Sequence, residues 1–154
     1  MFWKHNQAMT GGGLDQYAAT VENILSGIVQ DPAQTRLAMD EGYGWSFQHG
    51  SAIIEIYITR QQERGYLQVL SPIMHLPNSG LMPIYRRLLE LNLSLTDAAL
   101  GVYQDVVYIF SERPLEGLDA SEATFIITHV AQYADEMDNN LVAEFGGRLY
   151  SEAR

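Results

Sequence analysis

Cysteine is absent from this chain of 154 residues. Its absence excludes a disulfide framework, a thiolate zinc site and a cysteine nucleophile. Long apolar runs are absent as well, since no stretch reaches the roughly 18 consecutive apolar residues of a membrane-spanning helix. We therefore expect a cytoplasmic protein that does not enter a membrane and is stabilised by its hydrophobic core alone.

Basic residues are scarce. The chain has 9 Lys and Arg against 19 Asp and Glu, which gives a formal net charge of −10 at pH 7. Such a surface repels phosphate backbones and anionic lipids, because association with either requires clustered cations. Neither a nucleic acid nor a membrane surface is therefore predicted as a partner.

The length is typical of one domain, and 47% hydrophobic residues supply its core. Residues 1–13 contain Gly11-Gly12-Gly13 and lack a periodic apolar pattern, so we interpret them as a loose tail. They have no continuous apolar stretch and are not expected to be a secretory signal. A single domain is predicted over residues 14–150.

Apolar residues change their spacing along the domain, and the changes predict its elements. A three- to four-residue period is typical of a helix, and a two-residue period is typical of a strand. The pattern predicts helices over 14–28, from 81 to 95 and from Asp119 to Gly146, and strands over 43–47, 52–59, 66–76, 98–103 and 106–111. The predicted fold class is α+β, in the order α-β-β-β-α-β-β-α, with an antiparallel sheet packed by helices.

Several local signals refine this prediction. Pro72 indicates a bulge or an edge position, because proline cannot donate a backbone hydrogen bond. Asn78 or Ser79 is a candidate cap for the second helix, while Asp119 and Glu122 have the spacing of a capping box for the third. Residues 35–39 fit either a weak strand or an irregular link.

The last strand is apolar on both faces. Val107 and Ile109 point one way, whereas Val106, Tyr108 and Phe110 point the other way. A sheet covered by helices on one side should carry polar residues on its other side. Either the helices cover both faces, or a second subunit or client covers the face of Val107 and Ile109.

No catalytic, metal or cofactor site is predicted. The four histidines are scattered, and no pair has metal-ligand spacing. The acidic run over 135–140 lacks the alternating oxygen ligands of a calcium loop and lies within a helical pattern, so we interpret it as a solvated helix face. Gly11-Gly12-Gly13 has neither the spacing nor the preceding strand of a dinucleotide-binding loop. We do not expect an enzyme.

Two segments carry a resemblance to a known family. Residues 83–102 (PIYRRLLELNLSLTDAALGV) contain a helix ending in L-L-x-x-N before a small-residue strand. Residues 106–119 (VVYIFSERPLEGLD) contain an apolar strand followed by L-x-G-L at the start of the last helix. Both resemble the YbjN family and its relatives with the type III secretion chaperone-like fold. The resemblance implies a curved antiparallel sheet, a dimer, and binding of an extended client segment.

We therefore expect a non-enzymatic protein-binding module, chaperone-like or regulatory, that acts as a homodimer and holds a polypeptide segment. Its expected partners are a second copy of itself and a protein client. The alternative is a small-molecule-sensing regulatory domain with a cavity between sheet and helices. The residues predicted to form the dimer or client surface are Ile53, Tyr57, Leu88, Leu91, Val107 and Ile109.

Overall fold

The computed structural model describes residues 13–153, so the predicted tail lies almost entirely outside the described residues. The predicted order of elements is confirmed, and a short strand follows the last helix. The elements are α1 (Asp15–Ser26), β1 (Tyr43–His49), β2 (Ala52–Gln61), β3 (Arg64–His75), α2 (Leu81–Leu91), β4 (Ala99–Tyr103), β5 (Val106–Pro114), α3 (Ala120–Phe145) and β6 (Arg148–Leu149). Short 3₁₀ turns lie at Pro32–Thr35 and Ser151–Ala153.

The strands form one antiparallel sheet in the order β1-β2-β3-β5-β4, and β6 pairs with the end of β3. β3 is thus central and pairs with both β2 and β5. The register between β3 and β5 shifts between Pro72 and Met74. This shift confirms the bulge predicted at Pro72, where the missing N–H interrupts the ladder.

The core lies on one face of the sheet. Side chains at alternate positions of the central strands, such as Ile56 and Val69, are fully buried there together with residues of α1 and α3. Ile84 and Leu88 of α2 belong to the same core cluster. The three helices therefore contribute to one hydrophobic core, and this arrangement leaves the opposite sheet face for other contacts.

The caps and turns follow local chemistry. Gln104 and Asp105 both adopt positive φ angles, 48° and 61°, which is the geometry of a two-residue hairpin turn. Asp119 caps α3 as predicted, because its carboxylate accepts a hydrogen bond of 2.8 Å from the Glu122 N–H. The other half of the predicted capping box does not form, since the Glu122 carboxylate pairs with Arg113. The predicted caps of α2 are wrong, since Gly80 occupies that position and no side chain caps the helix.

The stretch over 35–39 is an irregular link. The 3₁₀ turn ends at Thr35, and Arg36 then forms a single bridge with Trp45 of β1. Leu37 donates a backbone hydrogen bond of 2.8 Å to Gly44. The outer edge of β1 is therefore partly paired. Across residues 13–153, no helix is long and apolar enough to cross a bilayer.

Candidate functional site

The sheet face turned away from α3 carries a mixture of aromatic, aliphatic and polar side chains. Register places Tyr57 opposite Gln68 and Gln68 opposite Glu112. It also places Leu70 opposite Phe110. Because residues directly opposite one another share a face, these side chains form one continuous surface. We call this surface the outer face.

A concave pocket of about 270 Å³ lies on the outer face, across β3, β5 and β4. Its lining includes Gln68, Leu70, Gly101, Tyr108, Phe110 and Glu112. Gly101 contributes no side chain, and a Cβ atom there would meet only the Phe110 ring, at 3.7 Å. The missing side chain therefore helps to form the concavity.

The pocket has one polar end. The Gln68 amide Nε2 donates a hydrogen bond of 2.6 Å to Glu112 Oε2. Gln68 is only 4% exposed, so this bond satisfies a buried polar group, while Glu112 is exposed. The carboxylate of Glu112 is thus held in a fixed position. Among the described residues that line the pocket, Glu112 alone carries a formal charge.

The other end of the pocket is apolar. Phe110 is 39% exposed although it is an aromatic residue in the middle of a strand. Leu70 lies opposite it on β3 and is buried. Phe110 and Leu70 thus give this end of the pocket a lining that another apolar side chain can contact.

Next to the pocket, Tyr57 donates a hydrogen bond of 2.9 Å to Glu55 Oε2. Burial, followed by the nearby charge of Glu55, raises the pKa of Tyr57 well above its usual range. Burial also raises the pKa of Tyr108. Both phenols are therefore neutral hydrogen-bonding groups at physiological pH. The C-terminal segment reaches this region as well, where Tyr150 stacks on His75 with ring centroids 5.2 Å apart.

A second apolar surface lies on α2 and the turn that follows it. Met82, Leu89 and Leu93 are 76%, 69% and 91% exposed. Met82 and Leu89 lie on the same side of α2, because a spacing of seven residues is about two helical turns. Leu93 lies in the turn that follows the end of α2 at Leu91. Val102 of the neighbouring strand β4 is partly exposed too. We call Met82, Leu89 and Leu93 the α2 stripe.

The structure does not bring the six residues of the predicted surface together. Ile53 and Tyr57 lie on the outer face and are buried there. Leu88 is buried in the core, and Leu91 is half-buried against it. These two residues attach α2 to the core, and the α2 stripe lies on a different side of the helix.

The predicted exposed face of the last strand needs a correction. Val107 and Ile109 are 0% exposed and belong to the core beneath the helices. The outer face instead carries Tyr108 and Phe110. The two-residue period correctly divided β5 into two faces. Because both faces are apolar, the sequence did not indicate which face packs against the helices. Gly101, Gln68 and Glu112 were not anticipated, because a pocket requires strand register.

The acidic run over 135–140 lies in α3, but it is not simply a solvated helix face. Asp138 is 1% exposed, and its Oδ2 accepts a hydrogen bond of 2.7 Å from the Ser51 hydroxyl. Asp135 Oδ1 accepts a bond of 2.8 Å from the Ser51 N–H. These bonds connect the β1–β2 turn to α3. Within residues 13–153, no three acidic or histidine side chains form a group that could hold a metal ion.

Residues 15–153 match the sequence model of a family described as T3SS (YopN, CesT) and YbjN peptide-binding chaperone 1. The chain belongs to this family. The resemblance noted in the sequence is thereby confirmed. Because the match spans the whole described fold, from α1 to the last 3₁₀ turn, it includes both the outer face and the α2 stripe. A comparison with curated protein sequences gives no match.

Solved structures agree with this family assignment at the level of the fold. A chain of the ExsC–ExsE complex aligns with a TM-score of 0.55 and 15% identity, covering 80% of this chain and 94% of that chain. A chain of the HopA1–SchA chaperone–effector complex aligns with a TM-score of 0.55 and 12% identity, covering 80% of this chain and 93% of that chain. YbjN from E. coli, described as a putative transcription regulator, aligns with a TM-score of 0.53 and 11% identity. The alignment covers 86% of this chain and 96% of that chain. At these identities the comparisons establish the α+β fold.

Proposed function

We propose that this chain is a non-enzymatic peptide-binding module, chaperone-like or regulatory, that holds an extended polypeptide segment on its outer face. The observation that carries the proposal is the pocket between Leu70, Phe110 and Gly101, where an apolar side chain of a client has room to bind. Membership of a peptide-binding chaperone family supports it. So does the structural similarity to a chain of a solved chaperone–effector complex.

An extended client suits this surface because the pocket crosses three neighbouring strands. A peptide in β conformation presents every second side chain to the same side, so alternate residues can enter the pocket and its surroundings. The apolar lining supplies affinity through buried area. The Gln68–Glu112 pair supplies an orienting polar contact at one end.

We further propose that the module is a homodimer that uses the α2 stripe. Leu89 and Leu93 are large aliphatic residues that are mostly exposed in the single subunit. A self-complementary contact between two α2 helices would bury both of them and their copies. None of the three stripe residues lines the pocket, so a dimer through the stripe is compatible with a client in each pocket.

Peptide binding is tested with a library of short fluorescent peptides, measured by anisotropy against the wild-type protein and Phe110→Ala. We expect a subset of peptides to bind, with affinity reduced about tenfold or more by Phe110→Ala, because an aromatic contact is lost. Leu89→Asp is the matched control and should leave peptide affinity unchanged. Binding of no peptide, or equal binding by Phe110→Ala, would reject the proposed site.

The dimer is tested by light scattering. The wild type should have a mass near twice 17.3 kDa, and Leu89→Asp should be a monomer, because a buried unpaired carboxylate is costly. Phe125→Asp, which places the same charge at another exposed apolar position, is the control and should remain dimeric. A monomeric wild type would reject the dimer and leave the peptide-binding proposal standing.

The small-molecule alternative has less support. It requires a cavity between the sheet and the helices, whereas the pocket described above lies on the outer face. The side chains between the sheet and α3, such as Ile109 and Ile127, are fully buried in the core. We therefore favour a polypeptide ligand.

A further inference from the structure

The pocket has two chemically different halves with a fixed spacing. Phe110 and Glu112 are two positions apart on β5 and therefore face the same side. Their partners on β3 repeat the division, since Leu70 lies opposite Phe110 and Gln68 lies opposite Glu112. Successive same-face positions on a strand are separated by about 6.8 Å. One half of the pocket is thus apolar, and the other half is acidic.

The acidic half is able to accept a cation. Glu112 is exposed, and it accepts one hydrogen bond from Gln68, whereas a carboxylate has about four acceptor sites. Glu55 is on the same face but lies opposite Leu70, where its carboxylate accepts a hydrogen bond from the Tyr57 hydroxyl, so Glu112 is the carboxylate of this half. Among the described lining residues none is basic, and the whole chain carries a net charge of −10. The local field therefore favours a positively charged group beside Glu112.

We propose that the pocket selects an extended segment in which an apolar residue and a Lys or Arg are separated by one residue. This inference rests on the peptide-binding function proposed above and specifies the class of client. The apolar side chain contacts Leu70 and Phe110 above Gly101. The basic side chain then lies beside Glu112, because an extended peptide has the same two-residue repeat as β5.

The same geometry disfavours other side chains at the second position. An acidic side chain there would face the carboxylate of Glu112, and like charges at close range are repulsive. An apolar side chain would remove water from a charged group without pairing it. A neutral polar side chain has neither the attraction nor the repulsion. Affinity should therefore depend more strongly on charge at this position than on charge elsewhere in the peptide.

The test uses one host peptide with a single Leu, in which the residue two positions after Leu is Arg, Gln or Glu. A reversed-sequence set covers the opposite strand direction. Binding is measured by anisotropy at low salt. The expected order is Arg, then Gln, then Glu, with about a tenfold or larger difference between Arg and Glu. The difference should shrink at high salt because exposed charges are screened.

Two pocket variants and one control test whether the pocket causes the preference for a basic residue. Glu112→Gln should remove the difference between the Arg and Glu peptides, while Glu63→Gln in the exposed β2–β3 turn should keep that difference. Gly101→Val should weaken all the peptides by filling the apolar half. It should still fold, because its Cβ meets only the Phe110 ring at ordinary contact distance and valine suits a strand.

The outcomes separate this inference from the function on which it rests. Equal affinity for the Arg, Gln and Glu peptides, lost in Gly101→Val, would overturn the charge selection and leave peptide binding intact. Binding of none of the peptides would overturn both. If Gly101→Val or Glu112→Gln changed the mass in solution and not the peptide affinity, the outer face would belong to a second subunit, which would also overturn the inference.

Discussion

The side chain of Asn92 forms two hydrogen bonds with the backbone of Leu100. Its Oδ1 accepts from the Leu100 N–H at 2.7 Å, and its Nδ2 donates to the Leu100 carbonyl at 3.3 Å. Leu100 is the second residue of β4, the edge strand of the sheet. The amide that follows α2 therefore occupies the position of a neighbouring strand and protects the edge at that point.

Asn92→Ala should destabilise the protein and expose this edge. Two backbone groups of a buried residue lose their partners, so we expect the free energy of unfolding to fall by about 1–3 kcal/mol in urea titrations. Self-association measured by light scattering should increase, since the exposed edge can pair with another strand. Ser94→Ala, which removes one exposed local hydrogen bond, is the control. Unchanged stability in Asn92→Ala would show that this pair of hydrogen bonds contributes little to folding.

Neighbouring positions on β5 should respond very differently to truncation. Ile109→Ala creates a cavity in the core and should cost about 2–5 kcal/mol of unfolding free energy. Phe110→Ala removes a ring that is already 39% exposed and should cost clearly less. Chemical denaturation of both variants checks the assignment of the faces. If Phe110→Ala lost more unfolding free energy than Ile109→Ala, the outer face would be more deeply buried than the face that packs against the helices.

Asp138 and Asp135 should give opposite pH dependences. Burial raises the pKa of Asp138 in the folded protein. Folding stability therefore falls as pH rises from the unfolded value of about 3.9 through the raised folded pKa. Asp138→Asn lacks this loss, so its stability relative to the wild type should improve as pH increases over that window. The measurement is urea denaturation at several pH values.

Asp135→Asn is the matched comparison on the same helix. Hydrogen bonds from the Ser51 backbone and hydroxyl lower the pKa of Asp135. Its stabilising effect is present above about pH 3.9 and is lost as pH falls through the lowered folded pKa. The deficit of Asp135→Asn should therefore be largest near neutral pH and diminish in acid. If the stability of both variants relative to the wild type changed in the same direction with pH, the opposite pKa shifts of Asp138 and Asp135 would be contradicted.

Gly50→Ala should be more destabilising than an alanine at another left-handed glycine. Gly50 has φ of +56°, and a Cβ atom there would clash with the carboxylate of Asp135. Gly117 has φ of +75° with no atom within 4 Å of its added Cβ, so Gly117→Ala reports backbone strain alone, about 1–2 kcal/mol. In thermal denaturation, the Tm of Gly50→Ala should be well below the Tm of Gly117→Ala. Equal losses would show that the β1–β2 turn moves away from α3 at little cost.

The sequence predicted the elements well because their signals are local. The Asp119 cap and the Pro72 bulge each depend on residues close together in the chain. β6 was missed because two residues have no readable period. Its pairing with β3 depends on where α3 ends, which is a tertiary feature.

The site was harder to predict because it depends on which surfaces meet. Leu88 and Leu89 are adjacent leucines in α2, yet one is buried and the other is 69% exposed. Both lie on apolar stripes with helical spacing, and only the position of α2 against the core distinguishes them. The pocket around Gly101 has a similar origin, because its lining comes from three strands whose register is set by the whole sheet.

The strand order has a consequence for how the protein is made. β3 pairs with β5, and the whole of α2 and β4 lies between them in the chain. A nascent polypeptide can therefore form the β1–β2–β3 meander early, but β3 keeps one open edge until Pro114 has been synthesised. Closing so long a loop is entropically slow compared with a hairpin. During synthesis the middle of the future sheet is temporarily an unprotected edge, and this is the stage at which the chain itself is most exposed to aggregation.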